Sequence, residues 1–366
     1  MINRRLISNF NWWFFLAILV LSAVGVVIIN SANHGRPEPF FRDLYIKQIY
    51  WILCGLVAMF LALIIDYRKL NRYAYAIYGI TVLALVYVLV NGVVASGAKR
   101  WIYIGPMTIQ VSEFAKIALI LALAKFFESR KIQGQYTLKD LWIPAALTGV
   151  IGLLIATQPD LGTAIIIFLI FLVFIAAIEI DGATLARIFG MGVLITPFLW
   201  FLLKDYQKRR VLTLFNPELD PLGAGYHLIQ SKIAIGSGGF SGKGLFMGTQ
   251  SRLNFLPEKH TDFIFSVFAE ETGFIGILVL LGLYLFIILK GLNIAFRATD
   301  RFGLFLALGI ISSISFYVLI NIGMTIGFFP ITGLPLPLLS YGGSSLITNF
   351  FALGLLLNIE MRRTAH

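Results

Sequence analysis

The chain has 366 residues, of which 58% are hydrophobic and only 13% charged, against about 25% charged in a soluble domain. A soluble fold of this length cannot bury so much apolar surface, and a β-barrel would show short alternating segments instead of long apolar runs, so the class is an all-α, polytopic integral membrane protein. The formal net charge of +11 (29 basic minus 18 acidic) fits cytoplasmic loops and anionic lipid headgroups rather than nucleic acid, and the single cysteine, Cys54, excludes an internal disulfide and a cysteine-ligated metal.

Met1-Ile2-Asn3-Arg4-Arg5 is a basic flank before an apolar run too long for the core of a cleaved signal. It reads as the start of a first, uncleaved span. About ten spans follow from runs near the roughly 20 residues that cross a hydrocarbon core. They lie near 12–30, 46–65, 73–91, 108–127, 142–157, 162–179, 184–203, 263–289, 304–328 and 340–359. Pro159 stops a helix between the fifth and sixth, so a tight hairpin is expected there.

Lysines and arginines in the short loops set the orientation. Arg4, Arg5, Arg68, Lys69, Arg72, Lys125, Arg130, Lys131, Lys139, Arg187, Lys290, Arg297, Arg301, Arg362 and Arg363 fall on one side. Arg36, Arg42, Lys47, Lys99 and Arg100 fall on the other. Both termini are therefore expected in the cytoplasm. The opposite face then carries the Lys99-Arg100 loop, the Gln158-Pro159-Asp160 hairpin, the proline-rich loop 330–339 and a large loop, 204–262, between helices 7 and 8. The large loop holds apolar positions such as Tyr226, Leu228 and Ile233, so it is expected to fold onto the membrane, partly as helix. No repeat, linker or low-complexity tract divides the chain, and residues 1–366 read as one membrane domain.

Several polar residues at that outer face invite two readings each. Asp262 opens the eighth span, where it serves as a helix cap or as a general base at the water–lipid boundary. Glu113 and Lys116, three residues apart, share one helical face. Charges inside a span usually pair and face an interior or a cavity, so they form a structural ion pair or a site for an anionic headgroup. Asp160 caps the sixth span or faces the same site. His260 is a structural hydrogen bonder or a participant in chemistry. Lys99-Arg100-Trp101 is an interfacial anchor or a cationic wall. The loop cations, Lys204, Lys208, Arg209, Arg210, Lys232, Lys243, Arg252 and Lys259, are unexpected on the outer side and suit a phosphate-bearing ligand. No phosphate-cradling loop, dinucleotide fingerprint or zinc spacing is present.

Six segments together resemble the shape, elongation, division and sporulation family. They are Gly97-Ala98-Lys99-Arg100-Trp101; Gln110-Val111-Ser112-Glu113-Phe114-Ala115-Lys116; and Gln158-Pro159-Asp160-Leu161-Gly162-Thr163. Then come Gly223-Ala224-Gly225-Tyr226-His227 with Gln230 to Gly238; Phe255 through Ser266, which contains His260-Thr261-Asp262-Phe263; and Pro337-Leu338-Leu339-Ser340-Tyr341-Gly342-Gly343-Ser344. The resemblance spans nearly the whole chain, in order, and is nearest to the elongation members. It implies a ten-span fold in the bacterial cytoplasmic (inner) membrane and peptidoglycan glycosyltransferase activity on lipid II. It also implies a nascent lipid-linked glycan as second substrate and a class B penicillin-binding protein, a transpeptidase, as partner. The family's essential acidic residue falls on Asp262, its polar fourth-span residues on Glu113 and Lys116, and its outer-loop arginine on Arg100.

On that basis Asp262 is the expected base of an inverting single displacement, or else the ligand of a divalent cation (magnesium or manganese); the sequence leaves both open. Arg100, Lys116 and Lys259 are the expected partners of the departing pyrophosphate. Two rival functions remain: a lipid II flippase, which needs a polar path to both faces, and a non-catalytic scaffold for the penicillin-binding protein, which would not need Asp262.

Overall fold

A computed structural model describes residues 9–34, 38–95, 98–104, 107–130, 135–221, 223–253, 255–256 and 258–363. Arg4, Arg5, Arg36 and Lys131 of the expected orientation, and Gly97 and Pro257 of the motifs, lie outside the described residues.

Each expected span coincides with a helix. In chain order they are α1 (Trp12–Asn33), α2 (Leu44–Ile64), α3 (Tyr67–Asn91), α4 (Val111–Ser129), α5 (Leu138–Thr157), α6 (Leu161–Ala176) and α7 (Gly182–Leu202). Two helices of the large loop follow, α8 (Asp205–Phe215) and α9 (Ala224–Ser237). The last three are α10 (Ile264–Phe296), α11 (Arg301–Ile326) and α12 (Gly343–Arg362). Seven are long and apolar enough to cross a membrane: α1, α2, α3, α5, α10, α11 and α12. Glu113, Lys116, Lys125 and Glu128 lower the hydropathy of α4. The chain is a multi-pass membrane protein.

The starts of these helices follow from short polar side chains. Asn11 accepts from the amide of Phe14, Asp66 from Arg68, Asp160 from Thr163, Asp181 from Thr184 and Asp300 from Gly303. Such caps satisfy amides that no helix can pair for itself. At its other end α11 stops at Gly327, whose φ of 85° is the left-handed conformation of a glycine terminus.

Helices α4, α11 and α12 are the most deeply enclosed spans. α11 packs against α4, α6, α10 and α12. Phe305 of α11 meets Phe127 of α4 and Phe174 of α6 at centroid distances of 5.6 and 5.7 Å. Lipid tails are as apolar as these side chains, so close packing rather than escape from water holds the helices together.

Two features depart from the expected pattern. The segment treated as an anchoring loop forms a three-stranded antiparallel sheet: β1 (Val93–Ala95), β2 (Ala98–Ile104) and β3 (Met107–Gln110). Its register sets Trp101 opposite Gln110 and Tyr103 opposite Thr108. The alternating pattern there is only a few residues long, too short to stand out beside the neighbouring spans.

The eighth span is also two helices. Gly273 (φ 64°, ψ −163°) breaks α10. The loop after α9 fills the break. The amides of Lys243 and Gly244 donate to the carbonyls of Glu270 and Glu271, each at 3.0 Å, and Phe274 and Ile275 donate to Gly239 and Phe240. The buried Glu270 carboxylate takes Lys243 Nζ at 2.6 Å and the amide of Thr249 at 2.8 Å. Four main-chain groups beside the break thus find partners in the loop, as a low-dielectric setting demands.

A Cβ at Gly273 would lie 2.2 Å from the amide nitrogen of Gly242, and its φ already disfavours a side chain. Gly273→Ala is expected to destabilise the protein by about 1–3 kcal/mol, read as a lower thermal midpoint of the detergent-purified chain. A midpoint equal to wild type would show that the break carries no such constraint.

Candidate active site

The polar residues at one end of the bundle converge on a cavity of about 320 Å³. Its walls come from β2 (Arg100, Trp101), the end of β3 (Gln110), α4 (Glu113), the start of α6 (Asp160, Thr163) and α8 (Arg210). Glu258, Thr261 and Asp262 form another side, and the segments Thr332–Pro335 and Tyr341–Ser345 close it.

Asp160 is the anchor of one wall. It caps α6, and its second oxygen accepts from Gln110 Nε2 at 3.1 Å and Ser112 Oγ at 3.4 Å. Arg100 reaches the same hairpin. Its Nε donates to the carbonyl of Gln158 at 3.1 Å, Nη2 donates to that of Pro159, and Nη1 lies 3.8 Å from Asp160. Asp160 thus caps α6 and lines the cavity at the same time.

Glu113 stands at the floor. Lys116 Nζ donates to it at 2.9 Å and lies 3.8 Å from the centroid of the Tyr317 ring. Tyr317 donates its hydroxyl to Glu113 at 3.2 Å, and Thr348 Oγ1 lies 3.4 Å away. Both charges are almost wholly buried, at 3% and 4% exposure, so they survive only as a pair with further partners. Glu113 lines the cavity; Lys116 is not among its lining residues. Lys116 instead borders a separate void of about 20 Å³, lined by Ser313, Thr348 and Asn349 together with Ile117, Ile120, Ile310, Ile314 and Ala352.

Asp262 lies on the opposite side and is partly exposed. It is not a helix cap: Phe263 occupies that position of α10, and no side chain caps the helix. Burial and then the neighbouring Glu258 push its carboxyl up to about 7, against the lowering influence of Arg210, Thr261 and Arg100. Such a group changes charge near neutral pH, as a general base should.

Lys259 and His260 precede it but do not line the cavity. Lys259 is buried, with 1% exposure. The His260 ring sits edge-on between Phe41 and Tyr341, with centroids 5.8 and 6.0 Å away. The cations that do line the cavity are Arg100 and Arg210. Arg210 comes from α8, which folds back so that Arg210 Nη1 donates to the carbonyl of Ile331 at 3.2 Å.

Among the described residues, no group of three or more histidine, cysteine, aspartate or glutamate side chains gathers for a metal ion.

Residues 11–365 match the profile of the FtsW, RodA and SpoVE cell cycle proteins. The chain belongs to this family. It is 44% identical over 355 residues to the peptidoglycan glycosyltransferase MrdB of Escherichia coli K12, covering 95% of this chain and 92% of that one. Among solved structures it resembles a chain from a peptidoglycan synthase complex studied for the coordination of polymerization and crosslinking, with a TM-score of 0.82, 35% identity and coverage of 98% and 99%. The crystal structure of the rod shape determining protein RodA of Thermus thermophilus matches with a TM-score of 0.70, 30% identity and coverage of 97% and 98%.

Within this cell cycle family member, the cavity unites Arg100, Glu113, Asp160 and Asp262, which lie far apart in sequence. It also recruits Arg210 and Glu258, which sequence reasoning left among loop cations and motif neighbours. Arg210 carried one usable signal: it is a cation in the loop that the lysine and arginine bias is expected to place on the face where few belong.

Removing one member of the buried pair leaves the other charged and unpaired. Lys116→Met is expected to cost about 3–5 kcal/mol, and Glu113→Gln/Lys116→Met together less than Lys116→Met alone. Thermal midpoints of the two variants check this; a double variant less stable than the single one would contradict it.

Proposed function

We propose that this protein is a peptidoglycan glycosyltransferase that polymerises lipid II into glycan strands on the outer face of the bacterial cytoplasmic membrane, during cell elongation and rod-shape maintenance. One observation carries the reading. The Asp262 carboxylate, beside Glu258, shares a polar cavity with two arginines at one end of an apolar bundle. The relative in Escherichia coli, named for the same activity, supports it along 95% of the chain.

In this reading Asp262 takes the proton from the attacking sugar hydroxyl. The oxygen bonds to the anomeric carbon of the growing glycan, and the bond from that carbon to pyrophosphate breaks. The lipid pyrophosphate departs with the electron pair, and the centre inverts. Arg100 and Arg210 stabilise the charge that develops on it, an effect that low local polarity strengthens. Lys116 acts at one remove, holding Glu113 at the cavity floor. Lys259 and His260 belong to the turn that carries Asp262. A divalent cation such as magnesium or manganese would be held by Asp262 and Glu258, the carboxylates on one side of the cavity, since hard cations take oxygen ligands; it would add positive charge for the pyrophosphate. Both termini lie in the cytoplasm, and residues 204–262 form the outer loop of one membrane domain. Lipid tails lie among the apolar spans. A class B penicillin-binding protein crosslinks the product, consistent with the synthase complex to which this fold is similar.

The flippase alternative needs a headgroup path through the bundle. Next to Glu113 the described residues leave only a void of about 20 Å³, lined by Lys116, Ser313, Thr348 and Asn349 as well as isoleucines; it is far too small for a disaccharide headgroup, which favours synthesis over transport. A scaffold would have no use for a charged Asp262 facing an open cavity.

Asp262→Asn is expected to abolish glycan formation from labelled lipid II by the purified protein, while yield and thermal midpoint stay near wild type. Glycan chains made at the wild-type rate would end the assignment. The ionised form is the active one, so the rate should rise with pH through about 7. Glu258 contributes to holding that midpoint high, and Glu258→Gln should move it to lower pH. A midpoint that stays in place would show that the limb belongs to another group.

A further inference from the structure

The turn that carries Asp262 is held from below, carbonyl by carbonyl. The carbonyl of His260 accepts from the amide of Tyr341 at 2.9 Å. That of Thr261 accepts from Ser340 Oγ at 2.6 Å. That of Asp262 accepts from Asn321 Nδ2 at 2.9 Å, and the same nitrogen donates to the carbonyl of Leu334 at 2.7 Å. Three successive carbonyls thus receive three donors from α11 and from the segment that joins α11 to α12.

That joining segment is itself braced. Gln48 of α2 donates to the carbonyl of Ser340 at 3.0 Å, and Tyr284 of α10 donates to that of Pro337 at 2.6 Å. The amide of Leu336 donates to Ser340 Oγ at 2.8 Å. Asn321, Gln48, Ser340 and Tyr284 are all at most 3% exposed. Gly333, at a φ of 74°, brings the segment against the carboxylate, since a Cβ there would lie 3.3 Å from Asp262 Oδ2. The oxygen of Asn321 has no partner among the described residues. A buried unpaired oxygen costs stability, so what the asparagine contributes is its donors.

From this geometry we infer that Asn321 and Ser340 are positioning residues for Asp262: they fix the turn at residues 260–262 so that the carboxylate meets its substrate proton at one place and angle. The inference rests on the assignment of Asp262 as the base. Neither residue touches the reacting atoms. Misplacement of a reacting group by an ångström lowers a rate steeply without weakening binding elsewhere, so the effect belongs in kcat.

The test uses full-length protein in proteoliposomes with lipid II as the probe. Asn321→Leu and Ser340→Ala remove the donors, and Ser340→Thr restores the hydroxyl. Both removals are expected to lower kcat by about tenfold or more while KM stays within about twofold. They should also displace the pH limb assigned to Asp262, and Ser340→Thr should recover most of the rate. Amide hydrogen exchange adds a readout that does not depend on activity. The amides at residues 261–263 should exchange faster in both variants, while α6 and the core of α11 keep wild-type protection. Wild-type kcat in both variants overturns the inference, whatever the exchange shows. If Asn321→Leu loosens the whole bundle, the serine pair decides, and equal kcat for Ser340→Ala, Ser340→Thr and wild type overturns it. If Asp262→Asn stays active, the base assignment fails instead, and unaltered exchange at 261–263 then separately rejects the bracing of the turn.

Discussion

A bilayer offers no water to a stranded charge or amide, and the whole cavity end of this protein is arranged around that constraint. Glu113 and Lys116 mark the depth at which it bites. On one side of them the bundle opens into a polar cavity; on the other only a void of about 20 Å³ remains, bordered by isoleucines and by Ser313, Thr348 and Asn349. The pair is tolerable there because Tyr317 and Thr348 add partners from two further helices. In doing so it ties α4 to α11 and α12 and sets the floor of the cavity.

The same constraint explains why the segments between the spans at the cavity end are stitched so closely to them. The break at Gly273 frees main-chain groups within α10, and the loop that follows α9 takes them up. The turn before α10 exposes three carbonyls, and α11 with its following segment supplies the donors. Arg100 binds the carbonyls of the hairpin between α5 and α6. Each of these pairings joins segments distant in sequence. Together they tie the segments between the spans to the helices by polar contacts.

Electrostatics inside the cavity are mixed by design of the fold, not by excess of one sign. Two arginines face the cavity with Asp160, Glu258 and Asp262. Arg100 is committed in part to Asp160, whereas Asp262 has the carboxylate of Glu258 for a neighbour. One acid is thus tied to a cation, and the other is held near neutrality by burial and a like charge. That division separates a structural carboxylate from one suited to proton transfer.

Much of this was legible in the amino-acid order. Apolar run lengths located each of the ten helices that coincide with expected spans, because hydrocarbon thickness dictates run length. Pro159 marked the hairpin, and the resemblance carried by separated motifs pointed to Arg100, Glu113, Lys116 and Asp262, of which all but Lys116 line the cavity. The sheet at Val93–Gln110 was not legible, since its alternating stretch is too short, nor was the break at Gly273, because a glycine within an apolar run looks like any other.

Sequence alone determined that the chain crosses the membrane repeatedly and that its unusual charges gather toward one face, since both follow from transfer energies that each residue carries by itself. Only the tertiary structure decided that Asp262 is no helix cap, that Arg210 rather than Lys116 or Lys259 lines the cavity beside Arg100, and that Asn321 and Ser340 hold the turn. Those outcomes depend on distances between residues far apart in the chain, and such distances exist only once the helices have packed.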